Sequence, residues 1–172
     1  MSSEATNTSL RKIRFWTIVL LVGLILSGIT AFPLGHELHF TLRIAQLIDL
    51  QNHAPELFAW LTRVSNALDD TDVRYPFLAY GTDWLAFGHL VIAIAFLGLW
   101  KDPVRNRWLV TFGLLACAGV LPLALIAGPI RGIPFLWRLI DCSFGIFGCI
   151  PLLLIRRQIA EIEKRSQVHS VV

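Results

Sequence analysis

A chain of 172 residues has room for one soluble domain or one small membrane protein. Composition decides between them: 55% of the residues are apolar and 16% charged, with a mean hydropathy of +0.64, against about 45–50% and about 25% in ordinary soluble domains. The net charge of +3 comes from basic residues at the ends of apolar segments, not from a basic face, which argues against a nucleic-acid partner and for the lipid bilayer.

Residues 1–10 are polar and rich in Ser and Thr, and read as a disordered tail. Arg11, Lys12 and Arg14 then lead into an apolar run over 15–34, close to the roughly 20 residues needed to cross a hydrocarbon core. It is too long for the core of a signal peptide and is not followed by a polar mature segment, so it reads as a transmembrane helix. Gly23 and Ser27 form a small-xxx-small pair, which predicts the close approach of a neighbouring helix, and Pro33 ends or kinks the segment.

Residues 35–83 contain seven acidic residues and three arginines, and read as an extracytoplasmic loop. Two amphipathic helices fit within it. Phe40, Ile44, Leu47 and Ile48 make the apolar face of the first; Leu57, Leu61, Val64 and Leu68 make that of the second, with Pro55 in its first turn. These faces are expected on the membrane surface or capping the bundle. Asp69-Asp70-Thr71-Asp72 is expected to break the second helix as an acidic turn.

Three more crossings follow, over 84–100, 108–129 and 135–155, the third of the four kinked at Pro122. Lys101, Arg105 and Arg107, and then Arg156 and Arg157, fall on the same side as the basic residues before the first crossing. By the positive-inside rule both termini are cytoplasmic, with 156–172 as a cytoplasmic tail. Trp16, Trp84, Trp100, Trp108 and Trp137 all fall at expected helix ends, as interfacial aromatic belts require. The expected fold is all-α: a four-transmembrane-helix bundle with two helices in its extracytoplasmic loop, forming one multi-pass domain in the plasma (inner) membrane of a bacterial cell.

Charge inside an apolar run costs about 2.5–3.5 kcal/mol per residue near the middle of a helix, so charged residues retained there carry information. The topology sends His36, His39, His89, Arg131, Arg138 and Asp141 all to the extracytoplasmic half. Arg138 and Asp141, three apart, share a helix face and can pair. That face continues through Cys142, Gly145, Gly148 and Cys149, small residues suited to a close helix contact. Asp83, with Thr82, suits the cap of the second crossing.

These residues support three readings. In the first, Arg131, Arg138, Asp141 and His89 form a buried site for an anionic small molecule or lipid headgroup, and His36 and His39 offer two ligands to a metal ion that needs further donors from elsewhere. In the second, His89 is an axial ligand of haem b in an electron-transfer subunit. In the third, the chain is an accessory protein that docks a membrane-protein partner, or a second copy of itself, through 35–83, and the Arg138–Asp141 pair only locks the bundle. No catalytic signature decides whether the chain is an enzyme: phosphate loop, GxSxG elbow, HExxH and CxxCH are all missing from it.

Overall fold

A computed structural model of the chain describes the backbone of residues 2–170 and the side chains of residues 4–167. It is all-helical, with no strand among the described residues. Four helices are long and apolar enough to cross a membrane, over Glu4–Ala31, Pro76–Lys101, Arg107–Ile130 and Phe135–Gln167. This is the make-up of a multi-pass membrane protein. The outward faces agree with it: Phe15, Leu26, Leu85, Ile94, Leu115 and Ile146 are each between 45% and 69% exposed. A soluble monomer rarely exposes an apolar surface of that extent.

Helix α1 spans Ser2–Ala31, so the residues expected as a tail are the first turns of the helix. Packing accounts for the difference. Ser9 and Ile13 are buried, and Ile13 joins a cluster with Ile155 and Ile159 of α8 (Phe135–Ser170), the helix that also carries the chain to its other end. Met1 and residues 171–172 lie outside the described residues. The remaining members of that cluster come from α5 (Ala79–Lys101) and α6 (Arg107–Pro122): Phe96, Leu99, Leu109 and Val110, with Leu152 of α8. All of these lie in the half of the molecule that carries Arg11, Lys101 and Arg107, here termed the basic end. There Arg14 places its guanidinium 5.5 Å from the centre of the Trp100 ring, tying α1 to α5 by a cation–π contact.

The long helices are ordered α5, α1, α8, α6, with α1 against α5 and α8, and α8 against α6. Helices α5 and α6 meet at the basic end, where Asn106 donates to the Gly98 carbonyl at 3.0 Å and the Phe96 and Phe112 rings lie 6.3 Å apart. Between α1 and α2 the chain turns at Phe32 and Pro33, since Pro33 has no amide hydrogen to continue the ladder. Helices α2 (Leu34–Leu47), α3 (Leu50–His53) and α4 (Pro55–Arg74) then form a separate unit whose core is Leu38, Ala45 and Leu61, packed with Leu42, Phe58 and Trp137.

The buried face of α2 is Leu38, Leu42 and Ala45, while the face expected on the membrane surface or capping the bundle, Phe40, Ile44, Leu47 and Ile48, is exposed. Two expectations in this region are corrected. Asp69–Asp72 do not break α4. It runs on to Arg74, helped by an Asp70–Arg74 ion pair of 2.7 Å one turn apart and by His39, whose Nε2 lies 3.0 Å from Asp69 Oδ1. Asp83 and Thr82 do not cap α5, because a short 3-10 turn over Pro76–Leu78 moves its start back to Ala79; Thr82 donates instead to the Ala79 carbonyl.

Small residues set which helices can approach. A Cβ at Gly145 of α8 would lie 2.7 Å from the Cys117 carbonyl oxygen of α6, and one at Gly148 would lie 2.9 Å from Cys117 Sγ. Gly28 makes the matching contact between α1 and α5, with the Ala86 carbonyl 3.0 Å from its would-be Cβ. Gly23, from the pair read as a contact motif, faces open space instead. Gly145→Ala is therefore expected to destabilise the protein by about 1–3 kcal/mol, since a backbone carbonyl must move, while Gly23→Ala is neutral or better. Thermal melting of the two variants in one detergent checks the order.

Candidate functional site

Above the basic-end cluster the four long helices line a half-open cavity of about 980 Å³, on whose wall Phe144 and Phe147 stay exposed. A backbone irregularity makes room for it. Pro122 lacks the amide that would bond the carbonyl one turn back, and the helix continues past it as a π turn over Leu123–Ala127, wider than an α turn. Pro151 lies inside α8, which stays α-helical through it. Leu123, Ala124, Ala127 and Pro151 all line the cavity, as does Gly23.

Most of the wall is apolar, with Val19, Leu20 and Leu24 from α1, Val120 from α6 and Phe144 and Phe147 from α8. From Asp141 to Pro151 the wall runs about 15 Å along α8 at 1.5 Å per residue, half the thickness of a hydrocarbon core. Its charged and imidazole groups are His89, Arg131 and Asp141.

Each of these is placed by a local reason. Helix α6 passes through the π turn into a short α7 (Gly128–Ile130) and ends with Gly132 at φ +69°, a left-handed conformation that glycine adopts without strain. The Gly132 amide bonds the Pro129 carbonyl and the Ile133 amide bonds that of Gly128, both at 3.0 Å, which is the Schellman pattern of a helix C-terminus. Arg131, just before this turn, is thereby held at the cavity. Pro134 follows as a helix stop, and α8 starts at Phe135. Asp141 lies six residues into α8, about 9 Å from its start. His89 lies next to the Gly28 contact, where a Cβ on Gly28 would be 3.2 Å from its own. Its Nδ1 is 2.9 Å from the Leu85 carbonyl, which only accepts, so Nδ1 carries the hydrogen and Nε2 of the neutral ring keeps its lone pair.

The structure divides the residues that sequence reasoning had gathered. His89, Arg131 and Asp141 share one wall; Arg138, His36 and His39 do not. The Arg138 stem packs behind Gly128, with Cδ 2.6 Å from where a Cβ would stand. Its Nε is buried without a hydrogen-bond partner among the described residues, and its guanidinium lies 5.4 Å from the centre of the Phe135 ring. No ion pair joins Arg138 to Asp141 among the described residues, which corrects the pairing inferred from their spacing. Sharing a helix face places two side chains near each other, but Arg138 is drawn toward α7 and Phe135. His39 bonds Asp69 in the α2–α4 unit, and His36 lines a separate groove with Asp72 and Thr82. Among the described residues no three His, Cys, Asp or Glu side chains gather as a metal-ligand set.

Sequence reasoning missed the cavity's apolar walls, the π turn and Gly28. Gly28 beside Ser27, a further small residue on α1, was the available signal for a close contact there. No family model matches the chain, and neither a curated protein nor a solved structure resembles it to a significant degree.

Because Arg138 and Asp141 do not touch, Arg138→Gln and Asp141→Asn are expected to act additively. A double-mutant cycle on thermal stability is expected to give a coupling below about 0.5 kcal/mol. A larger coupling would restore the ion pair.

Proposed function

We propose that the chain is a four-helix bundle of the plasma membrane, with both termini cytoplasmic, that binds a membrane-dissolved anionic amphiphile in the cavity between its long helices. The orientation rests on Arg11, Lys12, Arg14, Lys101, Arg105, Arg107, Arg156 and Arg157 at one end against the seven acidic residues of 35–83 at the other. The ligand class rests on one observation: an apolar cavity deep enough for an alkyl chain ends in Arg131, Asp141 and His89, and neither Arg131 nor Asp141 has a protein partner among the described residues.

In this reading Arg131 receives the anionic group, for which a guanidinium fork is well shaped. Asp141 and His89 Nε2 accept hydrogen bonds from hydroxyls of the headgroup, and Val19, Leu24, Phe144 and Phe147 cover the chain. Arg138, one layer behind Gly128, adds positive potential without contact. The low polarity of the surrounding hydrocarbon strengthens both effects. His36 and His39 take no part, since Asp69 and the α2–α4 unit hold them elsewhere.

Calorimetric titration of the full chain in nonionic detergent with oleate, and with oleyl alcohol as the uncharged match, tests the assignment. Oleate is expected to bind at least tenfold tighter than the alcohol, and Arg131→Gln to remove most of that difference. Equal binding of the two probes, or an unchanged oleate affinity in Arg131→Gln, would overturn it. The absorption spectrum of the same sample checks the competing use of His89: a Soret band lost in His89→Ala makes the cavity a haem site.

A further inference from the structure

A second cleft lies at the basic end, between α6 and α8, far from the cavity just described. It has a volume of about 690 Å³ and is walled by Trp108, Phe112 and Leu115 on one side and Arg156, Ile159 and Glu163 on the other. Its charges do not cancel. Arg107 Nη1 donates to Glu163 Oε1 at 2.9 Å, which neutralises the one carboxylate on the wall. Arg156 has neither an ion pair nor a side-chain hydrogen bond among the described residues. Two neutral donors complete the upper rim: the Trp108 indole, on a side chain left 59% exposed, and the Thr111 hydroxyl, which opens onto the same cleft.

Depth separates these groups from the apolar ones. Trp108 and Thr111 lie in the first turns of α6, whereas Leu115 is seven residues beyond Trp108, about 10 Å further along the axis. Phe112 and Leu115 are 43% and 69% exposed along that course. The two polar donors therefore stand at the start of α6, across the cleft from the unpaired Arg156 guanidinium, with an apolar track along α6 leading inward from them.

We propose that this cleft binds an anionic phospholipid, its phosphodiester held by Arg156 with the Trp108 and Thr111 donors, and one acyl chain laid over Phe112 and Leu115. A free phosphate would leave the apolar track unused. A zwitterionic lipid would bring its own cation against Arg107 and Arg156, when the only carboxylate on the wall is already taken by Arg107. Basic clefts between membrane helices recognise anionic headgroups on these terms. The site is independent of the far-end cavity.

To keep the two apart, the experiment uses the full-length Arg131→Gln protein as its background. Phosphatidylglycerol or phosphatidylcholine of identical chains is added back to the delipidated protein in nonionic detergent, and bound lipid is counted by native mass spectrometry. Phosphatidylglycerol is expected to be retained over phosphatidylcholine, and adding Arg156→Gln to lower its occupancy about fivefold. Arg156→Lys is expected to keep more than half of it, because the charge remains. Leu115→Ser, which leaves the rim intact, is expected to weaken the binding of both lipids. Equal retention of the two lipids, or phosphatidylglycerol retention unchanged by Arg156→Gln, overturns the site.

Discussion

The contact of α8 with α6 at Cys117 is the constraint on which the upper half of the molecule depends. In a bilayer, apolar side chains gain little by leaving lipid for protein, so helices stay together by fitting closely rather than by hiding from water. Gly145 and Gly148 allow that fit, one against the Cys117 carbonyl and the other against its sulfur. Gly113 does the same lower down, where a Cβ would lie 2.8 Å from a Leu152 methyl. With α6 and α8 fixed along this seam, and α1 fixed to α5 at Gly28, the helices can separate only along their other faces. Pro122 and the π turn after it then use that freedom on the side where the cavity lies.

The polar groups follow from the same division. Where helices are pressed together, the buried side chains are Ile13, Leu99, Val110, Leu152 and Ile155, none of them charged. Where they part, His89, Arg131 and Asp141 find room to face one space. Arg138 shows the intermediate case. It sits at the edge of the close contact, its stem against Gly128 and its guanidinium over Phe135, with a buried Nε that no acceptor reaches. A buried donor in that condition costs about 1–3 kcal/mol, a cost that the contact with Phe135 only partly offsets.

The sequence made the four crossings legible because hydropathy over some twenty residues is a sum, and sums tolerate local exceptions. The same averaging hid what makes the cavity. A single proline in an apolar run leaves the total unchanged, so Pro122 signals a kink but not the π turn that follows it. Pair rules failed for a related reason. Three-residue spacing brought Arg138 and Asp141 to one face, but the choice of partner was made by α7, whose end is set by Gly132 and lies outside any rule about one helix. In the loop, the apolar stripes of α2 and α4 were both visible. The stripe of α2 that turns inward packs on Leu57, Leu61, Val64 and Leu68 of α4 and also on Trp137, nearly a hundred residues away in the chain.

The two proposed sites share a device and differ in selectivity. Each sets an arginine without a protein partner, Arg131 or Arg156, at the end of an apolar track, so each favours an amphiphile with a negative end. At the basic end the other rim groups are a tryptophan and a threonine, donors that any phosphodiester satisfies, and the cleft opens along the outer seam of two helices. That suits a lipid present in bulk. In the cavity the companions are a carboxylate and an imidazole that accept hydrogen bonds, inside walls drawn from all four long helices. A bare carboxylate such as that of oleate satisfies Arg131 alone, whereas an anionic headgroup that also carries hydroxyls satisfies Asp141 and His89 as well, so the same arginine there favours a headgroup that donates as well as accepts.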